Sequence, residues 1–354
     1  MPEQHCPDYA CTSFITVIAI GILHAGTSSA PCHTHTSTDA LNRARKFIYT
    51  VNTNAHSISA HQIHPDHGAL TLVNTVTTGI HPCAVAIERS HRFLYVANAG
   101  SHTLSTYHIN DSTGALTLIN MIRAGLGPFF LAIDPTNRFI YVINADSHSI
   151  IMYHINPATG MLSFASIAGT ERGPACIAIA PSGRFAYVVN ASANTLSIYR
   201  VNTDTGELFP SRTITTGGTL PVAITITSCG RFAYATNSGS ASVAAYRVDC
   251  DTGMLTFIDT TDTGIAPYAV IASHSGCFVY VVNAGSASLS MYHINPGAGT
   301  LTTIGKVGAD TGPVSMVEDA AGQRLYVTGL SGVSIYHIHA GSGVLQRTTT
   351  PLVL

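Results

Sequence analysis

Apolar and polar positions alternate along this chain in short runs rather than recurring at helical intervals. Residues 174–215 show the pattern in four pieces: "PACIAIA" (174–180), "RFAYVVN" (184–190), "TLSIYRV" (195–201) and "GELFPSRTIT" (206–215). Each is rich in β-branched and aromatic residues and is set off by Gly, Ser, Asn or Pro. Alternation of this kind over about four to eight residues predicts strands, and no stretch carries the period of about 3.6 that marks an amphipathic helix.

The second run returns as "RFLYVAN" at 92, "RFIYVIN" at 138 and "RFAYATN" at 231. Its tyrosine recurs as Tyr49, Tyr95, Tyr141, Tyr187, Tyr234, Tyr280 and Tyr326, spaced 46, 46, 46, 47, 46 and 46 residues apart. A repeat of this length holding four short strands predicts a propeller blade rather than a helical solenoid. Radial stacking of such sheets covers both of their apolar faces. The expected fold is therefore all-β, a seven-bladed β-propeller of four-stranded antiparallel blades. It spans residues 37–354 as a single domain after an N-terminal segment, 1–36.

Glycine and asparagine punctuate each unit. Gly183, Gly230, Gly276 and Gly322, with Asn137 in one copy, precede the Arg-Phe position or its counterpart, where a tight turn needs positive φ. Gly68, Gly114, Gly160, Gly206, Gly253, Gly299 and Gly343 occupy the hairpin before the fourth strand in all seven units. In R-F-x-Y the Phe and Tyr fall two apart, so they share a face and should pack on a neighbouring blade. The Asn that ends the motif becomes Gly329 in the last unit, which points to a turn. Both tight glycine turns lie on one face of the ring. The variable loops, such as "NAGSHT", "NADSHS" and "NASANT", lie on the other, where a ligand is expected. The first unit lacks an inner strand. By register "STDALN" (37–42) would supply it, with "FITVIAI" (14–20) the runner-up.

Composition narrows the function. Hydrophobic residues make up 46% and charged residues 10%, yet no apolar run reaches the roughly 20 residues of a spanning helix, so no transmembrane segment is expected. Net charge is −2 and the only lysines are Lys46 and Lys306, which excludes a phosphate-neutralising stripe and argues against nucleic acid. "FITVIAIGIL" with Ser28-Ser29-Ala30 reads as a signal peptide over about residues 1–30, against an acidic start at Glu3 and Asp8. The reading leans extracytoplasmic, with a cytoplasmic location as the alternative. The eight cysteines form no C-x-x-C and no zinc spacing, so most are expected to be free and structural. The histidines of "HQIHPDH" (61–67), and Cys32, His33 and His35, could be taken for metal ligands. Most of the 18 histidines fall at repeat registers one per blade, so neither metal nor cofactor is expected.

The G-x-x-P opening, the P-S-G-R-F-x-Y-V-x-N core and the S-x-Y-x-[IV]-[ND]-x-x-T-G-x-L tail resemble the bacterial lactonase-family propellers. That group contains propeller-type 6-phosphogluconolactonase and fungal carboxymuconate lactonising enzymes. Similar repeats also occur in surface propellers of the Y-V-T-N type. The resemblance implies a lactone of a sugar or small carboxylic acid, opened by water. Such a reaction needs a base, donors for the developing oxyanion and a cation for the acid group. Family enzymes place Arg and His directly after the leading proline, facing the channel. Here those positions read Cys83-Ala84, Phe129-Phe130, Ala175-Cys176, Val222-Ala223, Tyr268-Ala269 and Val314-Ser315.

The ionisable candidates lie instead on the variable face between units three and four: Asp146 and His148 in "NADSHS", Glu171 and Arg172 in "TERGP". Glu171 or Asp146 is the candidate base, His148 the proton relay or donor, and Arg172 the anion-binding group. His81, before the leading proline of the second unit, is a further substrate-binding candidate. The alternative from a different class is a non-catalytic, exported propeller that binds a protein or carbohydrate partner through this face. A monomer is expected.

Overall fold

The computed structural model describes residues 18–19, 47–330 and 332–348, which form seven four-stranded antiparallel sheets. With blades numbered in chain order, each sheet runs from the inside outward. Blade four has Pro174–Ile179, Phe185–Asn190, Thr195–Val201 and Leu208–Thr215. Neighbouring inner strands touch in cyclic order. Ser315–Glu318 of blade seven meets Ile18–Ala19 of blade one, and that strand meets Pro82–Ile87 of blade two. No helix among the described residues is long and apolar enough to cross a membrane.

A repeated lock holds the blades together. The Phe of each R-F-x-Y packs on the hairpin glycine of the following blade: Phe47 on Gly114, Phe93 on Gly160, Phe139 on Gly206, Phe185 on Gly253, Phe232 on Gly299 and Phe278 on Gly343. Those glycines all have φ between 69° and 80°, and a Cβ on any of them would run into the ring. The tyrosine hydroxyl then donates to the same glycine's carbonyl, as from Tyr95 to Gly160 and Tyr187 to Gly253, each at 2.9 Å. Tyr326 to Gly68, at 3.3 Å, joins blade seven to blade one across 258 residues. From the other side, third-strand tyrosines donate to the outer strand of the preceding blade, as Tyr199 does to Gly169 at 2.8 Å. Burying aromatic rings whose polar tips are satisfied gives both area and register, which is why a chain without Trp can hold the ring. The motif's arginines belong to the same lock. Arg92, Arg138, Arg184 and Arg231 each lie over the following Phe, with ring-centroid distances of 5.1 to 5.4 Å.

The motif's asparagine is not a turn former. Asn98, Asn144, Asn190, Asn237 and Asn283 are fully buried, and none has positive φ. Asn190 Nδ2 donates to Thr195 Oγ1 (3.1 Å) and Ser197 Oγ (2.8 Å), clamping the second strand to the third. Positive φ falls four residues later, at His56, His102, His148, Asn194, Ala241 and Ala287. A short polar side chain at a strand end serves either role, and only the three-dimensional partners separate them.

Ring closure also departs from the expected register. Ile18 and Ala19, within "FITVIAI", pair with Thr50 and Tyr49 of blade one. They take the place assigned to "STDALN", which lies outside the described residues. An inner strand is covered by blades on both sides, which suits a continuous β-branched run better than the isolated Ala40 and Leu41. This pairing and a cut near residue 30 exclude one another, because the cut would remove the strand. Cys277 is disulfide-bonded, whereas Cys176, Cys229 and Cys250 are free.

Two titratable groups sit at core registers. His61 stands where other blades have the third-strand tyrosine, and desolvation lowers its pKa to about 4. Glu318 ends the last inner strand at the place of Ile87, Ile133, Ile179, Ile226 and Ala272, and is 5% exposed. Its carboxylate accepts from His274 N at 2.7 Å, with His274 Nδ1 at 3.6 Å. Burial raises its pKa from 4.5 to about 7. A carboxyl with a raised folded pKa favours folding below the unfolded value and loses that contribution as pH rises through the folded one. Glu318→Gln keeps the acceptor for His274 N and removes the charge. At pH 8 the variant should exceed wild type in stability by roughly 3 kcal/mol, an advantage that disappears by pH 4. Urea unfolding at the two pH values measures it.

Candidate functional site

The loops between second and third strands and the loops crossing from blade to blade lie on one face. Thr78 N, Ala124 N and Thr170 N, in three successive crossing loops, donate to the carbonyls of His56, His102 and His148. The histidine side chains continue the contact. His56 Nδ1 accepts from His81 N (3.2 Å), His102 Nδ1 from Gly127 N (3.0 Å) and His148 Nδ1 from Gly173 N (3.4 Å). Asn194 Oδ1 does the same for Leu220 N at 2.7 Å. A neutral imidazole that accepts at Nδ1 carries its proton on Nε2, so His102 and His148 present an N–H away from the crossing loop, whereas His56 Nδ1 also lies 3.0 Å from Thr53 O.

Against this shared frame the crossing loops differ in chemistry. They read T-G-I-H (78–81), A-G-L-G (124–127), T-E-R-G (170–173), G-G-T-L (217–220), T-G-I-A (263–266) and A-D-T-G (309–312). Only the third holds an acid beside a base. Where the loop has glycine at its second position or its equivalent, the glycine is required. A Cβ at Gly79, Gly125, Gly218 or Gly264 would collide with the buried asparagine of the blade that follows. Glu171 and Arg172 are both exposed, and the loop carrying them is hydrogen-bonded to His148, so these three share one corner. Asp146 is exposed in the same loop as His148, but its carboxylate packs on Gly127, on the side of blade two. His81 lies two crossing loops away, its ring centroid 5.1 Å from that of His56.

Glu171 also lines a groove of about 340 Å3 between blades three and four, together with Thr170, Ser197, Tyr199, Arg212 and Thr213. Arg212 is not among the residues that the sequence pattern singles out. Its register nevertheless holds Asn74, Asn120, Ser166, Asp259 and Gly305 elsewhere, and one cation among short side chains is a readable signal. Toward the channel, Phe129, Ala175, Val222 and Tyr268 are half-buried and belong to none of the apolar clusters between blades. Cys83 is buried, its thiol donating to Pro128 O at 3.1 Å.

The histidine motif of residues 61–67 does not converge. His61 is buried in the third strand, whereas His64 and His67 stack on each other in the exposed hairpin, their centroids 3.8 Å apart. Among the described residues no group of three or more His, Cys, Asp or Glu is placed to hold a metal ion. Cys32, His33 and His35 lie outside them.

Similarities to known proteins agree with this architecture. In structure the chain is similar to an inferred 6-phosphogluconolactonase from Bacteroides uniformis, with a TM-score of 0.76 and 18% identity over 84% of this chain and 92% of that one. It is similar to a periplasmic gluconolactonase from Pseudomonas aeruginosa, with a TM-score of 0.68 and 20% identity over 86% and 92%. A Lactobacillus plantarum protein aligns with a TM-score of 0.69 and 25% identity over 76% and 84%. No curated protein matches the sequence. The family described as "Lactonase, 7-bladed beta-propeller" matches over residues 80–171, 166–272 and 261–354, which together take in most of the chain. The chain belongs to the seven-bladed lactonase family of β-propellers.

Proposed function

We propose that the protein hydrolyses a lactone of a sugar or small carboxylic acid, in the manner of a 6-phosphogluconolactonase, at the corner formed by residues 170–173 and His148. One observation carries this reading: Glu171 and Arg172 put an acid and a guanidinium side by side where that loop meets His148, at positions that hold Gly followed by Ile, Leu or Thr in four of the other crossing loops and Asp310-Thr311 in the last. Glu171 takes the proton of the attacking water, and the new carbon–oxygen bond gives a tetrahedral oxyanion. His148, with its proton on Nε2, donates to that oxyanion or to the ring oxygen as the ester bond breaks. Arg172 holds the substrate's acid group, for which a planar guanidinium is suited. Glu171 is preferred to Asp146 as base because the Asp146 carboxylate is packed on Gly127. The products are the open hydroxy acid and one proton, so turnover is read by pH-stat above the spontaneous rate.

Gluconolactone, 6-phosphogluconolactone and a small carboxylate lactone form the test panel. Arg172→Ala should raise KM for acid-bearing lactones about tenfold and change kcat little, since uniform binding is lost. A wild-type rate equal to spontaneous hydrolysis on the whole panel would remove the proposal.

A further inference from the structure

The groove beside Glu171 has a counterpart elsewhere in the ring that shows what its residues can do. In blade seven the crossing-loop acid is Asp310, the third-strand serine two before the tyrosine is Ser334, and the outer strand carries Arg347. These three close on one another: Asp310 accepts from both Ser334 Oγ and Arg347 Nη2. Burial alone would raise the Asp310 pKa, but the bonds from Ser334 and Arg347 outweigh it and hold the carboxyl below its ordinary range. Blade four has the same residue types in Glu171, Ser197 and Arg212, with the arginine two positions further along its outer strand.

There the set stays open. Among the described residues no ion pair joins Glu171 to Arg212, and the groove of about 340 Å3 lies between the elements that carry them. Its volume falls within the range of small-ligand sites, roughly 300–1,000 Å3. The hydroxyls of Ser197 and Thr213 lie 3.5 Å apart in its wall. Tyr199, whose hydroxyl is tied to Gly169 O, supplies a rigid aromatic wall. A guanidinium free of ion pairs, a carboxylate and two hydroxyls around one groove suit a polyhydroxy compound that carries an anion at one end.

We propose that this groove binds the distal phosphate or carboxylate end of a sugar acid or its lactone, with Arg212 joining Arg172 in selecting for the anion. The inference rests on the hydrolytic reading above in placing the reacting end at Glu171, but it concerns binding and is measured without turnover. Titration calorimetry of the full chain with 6-phosphogluconate and with gluconate reads the preference for a distal phosphate. Wild type should bind the phosphorylated acid at least about tenfold more tightly, the scale of one charge-assisted pair. Arg212→Ala should narrow the difference to the share that Arg172 supplies, and Arg212→Lys should retain more of it. Inorganic phosphate as competitor separates the sources: weak competition by phosphate alone supports recognition of the whole sugar acid, and competition equal to 6-phosphogluconate overturns it in favour of simple anion binding. Equal affinities in wild type, or a preference unchanged in Arg212→Ala, would also overturn the proposal. If the preference is present and depends on Arg212 while the lactone panel shows no turnover, the groove stands and the hydrolytic reading fails.

Discussion

Gly253→Ala should destabilise the protein by about 3–4 kcal/mol, whereas Gly183→Ala should cost only about 1 kcal/mol. Both glycines have positive φ, 73° and 70°, so each substitution bears the same left-handed strain. They differ in what a side chain would meet. At Gly183 the nearest neighbour of a Cβ is Pro135 Cδ at 3.9 Å, an ordinary contact. At Gly253 the Cβ collides with the Phe185 ring, and displacing that ring disturbs the bond from Tyr187 to the Gly253 carbonyl. The difference between the two urea midpoints therefore isolates the interlocking of blades four and five from backbone strain. Equal losses in the two variants would mean that the hairpin glycines are retained for turn geometry alone.

Glu171→Gln should lower kcat for lactone hydrolysis by about 10² or more with KM changed less than about threefold. Glutamine keeps the size and hydrogen-bonding capacity of the side chain and loses only the ability to take a proton. A fall in kcat with KM nearly unchanged is the split that a merely structural role for Glu171 would not produce. Because the side chain is exposed and outside the inter-blade lock, thermal stability should remain within about 0.5 kcal/mol of wild type. A variant with normal kcat would move the base elsewhere, Asp146 being the other candidate carboxylate.

The repeat makes most of the scaffold legible in the amino-acid sequence. The recurring tyrosine marks seven blades, and the hairpin glycines are left-handed in every blade, as their recurrence requires. Phe and Tyr two apart do pack on the neighbouring blade. A repeat reveals which positions are held fixed, not what holds them. Asn190 therefore reads as a turn residue along the chain, whereas its partners in the fold are the hydroxyls of Thr195 and Ser197. His148 reads as chemistry in the sequence, yet its Nδ1 does the backbone work that Asn194 does one blade on. The closing strand is hard to place because its partner, Phe47–Asn52, follows a stretch of chain outside the repeat, where no register guides the pairing. Arg212 escapes a search for apolar alternation, because a single cation on an outer strand carries no weight in that pattern.

The central claim is that the scaffold is common to all copies of the motif and that chemistry resides where one crossing loop departs from the others. Restoring that loop to its own repeat tests this most directly. The double variant Glu171→Gly with Arg172→Leu turns residues 170–173 into T-G-L-G, close to the A-G-L-G of residues 124–127. The measurement is kcat/KM by pH-stat on the lactone panel, with unfolding followed in parallel. The expected result is a protein as stable as wild type whose lactone hydrolysis has fallen to the spontaneous rate. Unchanged turnover in the folded double variant would contradict the claim.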